Sequence, residues 1–250
     1  MWESILTLGA MESLLSAGVR LSVPLILGAL GETVSQKAGT LNIGLESNMI
    51  SGAFFGFAVA YWTGSLALGF LAGMLGGIIF SMLHAFISHG LGQNQSVTGT
   101  ALNLFAIGIT SFLFSLINNT DLFPQVKTLS NIAIPVLSEI PVIGEVFFNK
   151  DIVTYIAYLM IFAVAFFLKR TVWGMELVSV GENPQAADTV GVKVLKIRYA
   201  AALFNGLMNG LAGAFLTLVQ LGSFSDNVTS GRGFIALALV VFGKRNPYGI

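Results

Sequence analysis

Seven stretches of this chain are apolar for a full bilayer crossing or for most of one, and that constraint removes nearly every water-soluble fold. About 20 residues rising 1.5 Å each cross the hydrocarbon, and runs near that length lie at about 11–30, 48–63, 66–87, 97–117, 152–168, 199–218 and 233–243. The first, second and last are marginal as full crossings. The last is the shortest, and a re-entrant or broken helix is expected there, tolerated only where protein or water satisfies its backbone. Composition agrees: hydrophobic residues make up 55% of the chain and charged residues 10%. The fold class expected is all-α, a polytopic transmembrane helical bundle of about seven membrane segments forming one domain over residues 1–250.

Several function classes fall away. Formal net charge is +0, so no bulk attraction to nucleic acid is implied. With no cysteine, a disulfide framework and a thiolate metal site are both excluded. The two histidines, His84 and His89, are five apart with no acid between them, unlike a zinc-protease helix. No nucleophile-elbow serine occurs, and Gly243-Lys244 is followed by Arg245 where a P-loop needs Ser or Thr. The chain is therefore expected to have no catalytic residue, to bind no metal or cofactor, and to leave any ATP and Mg to a partner. The first nineteen residues lack Lys and Arg, so the start is expected to stay in the mature protein.

Orientation follows from the basic residues. Placing residues 169–198 in the cytoplasm collects Lys37, Lys169, Arg170, Lys193, Lys196, Arg198, Lys244 and Arg245 on that side and leaves Lys127, Lys150 and Arg232 outside. The amino terminus is then external, and so is the loop at 118–151, where Pro124, Pro135 and Pro141 among alternating Ile and Val suit short strands or an interfacial helix. Small residues four apart (Gly52 and Gly56; Gly69, Gly73 and Gly77; Gly206 and Gly210) allow close helix contact in lipid.

Polar groups inside a bilayer are costly unless they meet a partner or line a wet path. Three clusters qualify: Asn42, Glu46, Ser47 and Asn48 at the entry to the second run; Gln93, Asn94, Gln95, Thr98, Thr100 and Asn103 at the entry to the fourth; and Asn205 with Asn209, one turn apart on one face of the sixth. The candidate substrate path is Asn42, Glu46, Asn48, Asn94, Thr98, Asn103, Asn205 and Asn209. Interhelical hydrogen bonding is the plainer role for the last two. Glu46 equally suits a helix start, where the dipole favours a carboxylate. Arg20 is expected either to pair with a carboxylate or to extend its head outward to water.

Three blocks, Gly39 to Phe54 (GTLNIGLESNMISGAF), Val180 to Val194 (VGENPQAADTVGVKV) and Thr229 to Gly249 (TSGRGFIALALVVFGKRNPYG), together resemble the permeases of bacterial ABC importers of the branched-chain amino acid, ribose and nucleoside group. Within it the chain is most similar to nucleoside or simple-sugar permeases. The resemblance implies a permease subunit in the bacterial inner membrane that imports a small neutral solute, a nucleoside first and a sugar or branched-chain amino acid as alternatives. It implies separate ATPase subunits, a second permease chain in a homo- or heterodimer, an external substrate-binding lipoprotein, and surrounding membrane lipid. It further implies that Gly181, Glu182, Asn183, Pro184, Ala186, Ala187 and Gly191 form the segment that docks in the ATPase. The residues suit that role: Asn183-Pro184 can start a helix, Ala186 and Ala187 are small enough to be enclosed, and Gly191 can end it.

Ser47 stands where the family commonly has Gly, which puts helix packing there in question, and related permeases continue beyond the last block, so the chain reads as C-terminally truncated. Ser96 to Gly108 echoes Val228 to Gly243, a hint of inverted repeats. A self-contained secondary transporter is the rival; it needs a carboxylate deep in a span, and apart from Glu12 and Glu46, both near segment ends, the spans have none.

Overall fold

The computed structural model describes residues 8–118, 124–135, 137–140 and 143–250. Ten α-helices are described: α1 (Leu8–Lys37), α2 (Leu45–Thr63), α3 (Leu66–Ala85), α4 (Gln95–Asn118), α5 (Ile143–Phe147), α6 (Ile152–Arg170), α7 (Val172–Glu182), α8 (Pro184–Thr189), α9 (Val194–Phe215) and α10 (Arg232–Phe242). α3 and α9 each run on into a π-helical turn, Phe86–Gly90 and Leu216–Leu221.

Five of these segments are long and apolar enough to cross a membrane: Gly9–Lys37, Leu66–Gly90, Gln95–Ile117, Ile152–Arg170 and Val194–Leu221. The expectation of about seven is corrected to that number. All seven apolar runs are helical, but α2 opens on Glu46, Ser47 and Asn48, and α10, with 11 residues, rises only about 16 Å.

α9 is the axis of the bundle. In it 83% of the membrane window is buried by the protein itself, against 28–39% in the other four crossings. Its glycines explain this. A Cβ added to Gly206 would lie 2.6 Å from the Ile78 Cα on α3, and one on Gly210 would lie 2.9 Å from the Met74 Cα. On the other face a Cβ at Gly213 would lie 2.7 Å from the Ala53 backbone nitrogen of α2, and one at Gly52 would meet the Gly210 Cα at 2.6 Å. The glycine spacing in the sequence thus marks one three-helix seam of α2, α3 and α9, where backbones touch without intervening side chains. α2 ends at Gly64, whose φ of 66° suits a glycine at the tight turn into α3.

α1 extends well beyond the predicted 11–30 and takes Pro24 into its interior. Proline cannot bond to the carbonyl four residues earlier, and here that carbonyl, Arg20 O, instead accepts from Gln220 Nε2 at 2.8 Å. The Arg20 guanidinium in turn donates to the Val219 carbonyl. Arg20 therefore meets a backbone carbonyl rather than a carboxylate while staying exposed; it and Gln220 clamp α1 to the π-helical end of α9.

The 118–151 segment contains both alternatives read from its pattern. β1 (Ile132–Ala133) pairs antiparallel with β2 (Asn149–Lys150), and α5 lies between them. Val126 N–H donates to Gly222 O and Leu129 N–H to Leu218 O, so the segment lies along the same end of α9. Lys150 donates to the Ser16 hydroxyl of α1, and burial holds its ammonium below the usual lysine range. Pro141 lies outside the described residues.

Candidate functional site

A polar knot lies where α1, α2 and α9 meet, and its centre is a residue the sequence reading passed over. Glu32 is fully buried. Its Oε1 accepts from Gln36 Nε2 at 3.0 Å and from the Asn42 N–H at 3.2 Å, and its Oε2 accepts from Asn205 Nδ2 at 2.8 Å. Asn205 Nδ2 also donates to Ser35 Oγ at 3.0 Å. Two further amides converge on Asn205 Oδ1: Asn48 Nδ2 at 3.4 Å and Asn209 Nδ2 at 2.8 Å. Donation thus runs from Asn48 and Asn209 through Asn205 to Glu32. At the far end the amide oxygens of Asn48 and Asn209 are buried and have no hydrogen-bond partner among the described residues.

The sequence could have revealed Glu32. It lies two residues past the drawn end of the first run, at a Gly-Glu pair that looked like a helix end, while the helix continues to Lys37. The statement that the spans hold no deep carboxylate beyond Glu12 and Glu46 is corrected accordingly.

Glu46 has a different task. Its Oε1 accepts from the Gly231 N–H at 2.9 Å and its Oε2 from the Gly233 N–H at 2.8 Å, and the Thr229 hydroxyl also donates to Oε1. The carboxylate therefore caps the start of α10 from another helix. A helix beginning inside a bundle has free N–H groups and a positive dipole end, and a buried carboxylate answers both. The last apolar run forms one short helix, α10; residues 222–231 precede it, with Phe224 and Val228 buried in a cluster with Phe54 and Phe57 against which Phe114 packs.

The remaining path candidates separate. Asn103 Oδ1 accepts from Ser47 N–H at 2.9 Å and its Nδ2 donates to Ile43 O at 3.0 Å, stitching α4 to the start of α2. Ser47 itself is buried and donates to Gly44 O at 2.6 Å, so the departure from glycine is accommodated. Thr98 is buried in the first turn of α4, whereas Asn94 is exposed and caps that helix through Ser96 N–H and Val97 N–H. The structure thus gathers Asn42, Asn48, Asn205 and Asn209 around Glu32, gives Glu46 and Asn103 to the joints of α2, and leaves Asn94 apart. The echoing segments begin on either side of α2: Gly99 approaches Gly44, and Gly233 approaches Glu46.

The second constellation is α7–α8. Asn183 Oδ1 accepts from the Ala186 N–H at 3.0 Å, Pro184 occupies the first turn, and Gly191 ends the element with φ 91°. The face it offers differs from the one expected. Ala187 is buried by the chain itself, whereas Glu182, Gln185 and Ala186 are exposed and Val190 is 79% exposed. An apolar side chain so bare on a polar segment suits a docking surface, and no local pattern marks Val190, since its exposure is set by the tertiary structure. Behind this face Gly181 touches the α1–α2 link: a Cβ there would meet the Lys37 carbonyl, and one on Gly39, whose φ is 78°, would lie 3.2 Å from the Gly181 Cα. Lys37 is five residues from Glu32 on the same helix.

The family model described as branched-chain amino acid transport system, permease component, matches residues 14–250. A guanosine ABC transporter permease protein of Bacillus subtilis is 40% identical over 91% of this chain and 74% of its own length. A nucleoside ABC transporter permease protein of Lactococcus lactis is 38% identical over 91% and 74%. A protein of Haloferax volcanii, named provisionally as a glucose ABC transporter permease, is 40% identical over 94% and 71%. No solved structure matches significantly.

Proposed function

This chain belongs to the branched-chain amino acid transport system permease component family, and on that premise we propose that it is the membrane subunit of an ATP-binding cassette importer for a nucleoside. Such a multi-pass component works with ATPase and substrate-binding partners. In the reading proposed here these are two ATPases that bind ATP and Mg, a second permease chain and an external lipoprotein, assembled at the bacterial inner membrane with residues 169–198 facing the cytoplasm. Transport is by alternating access.

The observation that carries the reading is the unbroken run of contacts from the exposed α8 surface through Gly181 to Lys37–Gly39, and from there along α1 to Glu32 and the asparagine amides. Movement imposed on α8 by an ATPase reaches the polar knot without passing through lipid-facing structure. The amide oxygens of Asn48 and Asn209, buried in this state, would suit the hydroxyl donors of a neutral, hydroxyl-rich solute once the bundle opens. The guanosine and nucleoside permeases of Bacillus and Lactococcus to which the chain is similar support a nucleoside. A sugar is the second reading, favoured by the Haloferax relative.

Ala186→Arg tests the docking face, because Ala186 is exposed while Ala187 supports the fold. The variant is expected to reach the membrane in normal amount, to lose ATPase association, and to lose ATP-dependent guanosine uptake. Gly181→Val, behind that face, is expected to keep the ATPase but uncouple hydrolysis from uptake. Full ATPase association by Ala186→Arg would remove the assignment, and uptake of glucose in place of guanosine would transfer it to sugars.

A further inference from the structure

A half-open groove between α6, α7 and α9 is lined by Met160, Phe167, Trp173, Leu177, Ile197 and Phe204, with smaller side chains between them, and has a volume of about 280 Å³. Its floor offers nothing but apolar contact. We propose that it holds an acyl chain of an anionic phospholipid whose headgroup is bound by Arg170 and Lys193.

Three observations support a lipid of that charge. The first is depth. From Met160 to Arg170 is ten residues of α6, about 15 Å of rise, which is about half the roughly 30 Å hydrocarbon thickness; the groove thus runs from the membrane boundary toward the midplane, as one leaflet's acyl chains do. The second is the mouth. Phe167 and Arg170 are three apart on α6, and Lys193 and Ile197 four apart at the start of α9, so each apolar wall continues on the same face into a cation. Both cations are exposed, and neither side chain has a hydrogen bond or ion pair among the described residues. Lys196 adds positive charge beside them, while Lys169 is engaged over the Tyr248 ring at 5.2 Å. Glu176, the acid of α7 nearest the groove, is next to Leu177 but about 100° round the helix. The third is Trp173, 70% exposed at the rim, where an indole belongs at a membrane boundary.

Each cation near an anionic headgroup contributes roughly fivefold in affinity, so the pair gives roughly twenty-five-fold preference over a zwitterionic lipid. The test uses Trp173 as reporter in a Trp2→Phe, Trp62→Phe background of the full chain, reconstituted with phosphatidylglycerol or phosphatidylcholine brominated on the acyl chain. Brominated phosphatidylglycerol is expected to quench Trp173 at much lower mole fraction than brominated phosphatidylcholine. Arg170→Gln with Lys193→Gln removes the preference, and Arg170→Lys with Lys193→Arg retains most of it. Equal quenching by the two lipids overturns the proposal in favour of ordinary bulk lipid contact. Absence of quenching by both also overturns it, and assigns the groove to a protein occupant such as a second copy or another helix.

Discussion

Replacing Glu46 by Gln is the smallest change that separates a helix cap from a transport residue, since size and burial are kept and only charge and one acceptor are lost. Glu46 accepts from the Gly231 and Gly233 N–H groups and the Thr229 hydroxyl. In glutamine one terminal atom becomes a donor, so one of the two α10 amides is left facing an NH₂ group. An orphaned buried donor costs about 1–3 kcal/mol, and losing the negative charge at a helix start adds about 0.3–1 kcal/mol. The sum, roughly 1–4 kcal/mol, corresponds to a fall of several degrees in melting temperature at about 2–4 °C per kcal/mol for a chain of this size. The melt is measured on the full chain in detergent by intrinsic fluorescence. A second reading locates the damage: the chain has no cysteine, so Val228→Cys, buried just before α10, can be followed alone with a thiol reagent, with exposed Ser230→Cys as the accessible control. Labelling of Val228→Cys is expected to rise in the Gln variant while Ser230→Cys stays unchanged. An unaltered melt together with unaltered Val228→Cys labelling would refute the cap.

Two further outcomes follow from the packing. Gly213→Leu places a side chain against the Met49 carbonyl and the Ala53 nitrogen, so α2 must part from α9; loss of folded protein on size-exclusion chromatography is expected, while Gly108→Leu, with open space around it, leaves the profile unchanged. Glu32→Ala leaves Gln36 Nε2 and the Asn42 N–H without their acceptor while Asn205 Nδ2 keeps Ser35, a cost of about 1–3 kcal/mol for each donor left unsatisfied, whereas Glu32→Gln keeps an acceptor and is expected to recover most of the thermal stability; equal melts for the two variants would show that the knot contributes no specific hydrogen bonding.

Helix class, membrane character and the short helix α8 were legible because each rests on local pattern. Apolar length announces a helix in lipid, four-residue glycine spacing announces close contact, and Asn183-Pro184 with Gly191 brackets α8. Joints were harder. Glu32 looked like a helix terminus because Gly31-Glu32 reads locally as an end, and only the packing of Val34 and Ala38 into the core carries α1 two turns further. Glu46 could not be assigned because the amides it caps lie more than 180 residues away in the chain. Likewise no local signal says that the carbonyl released by Pro24 will be taken by Gln220. The same limit applies to Ala187: composition marks it as small enough to be enclosed, and only the tertiary structure shows that its own chain encloses it.

The clamp at Arg20 and Gln220 has a mechanical consequence. With Arg20 tied to Val219, and Gln220 tied back to Arg20, α1 and α9 are joined at one end by side chain to backbone in both directions. From Arg20 to Lys37 is seventeen residues, about 25 Å of helix, so a turn of α1 about this junction would act over a long arm. A rotation of about 5° at the clamp carries Lys37 about 2 Å, comparable with the small helix shifts on which conformational switching draws. Such a turn would displace α1 least near the clamp and most beside Gly181, where the Glu32–Asn205 bond would have to yield with it.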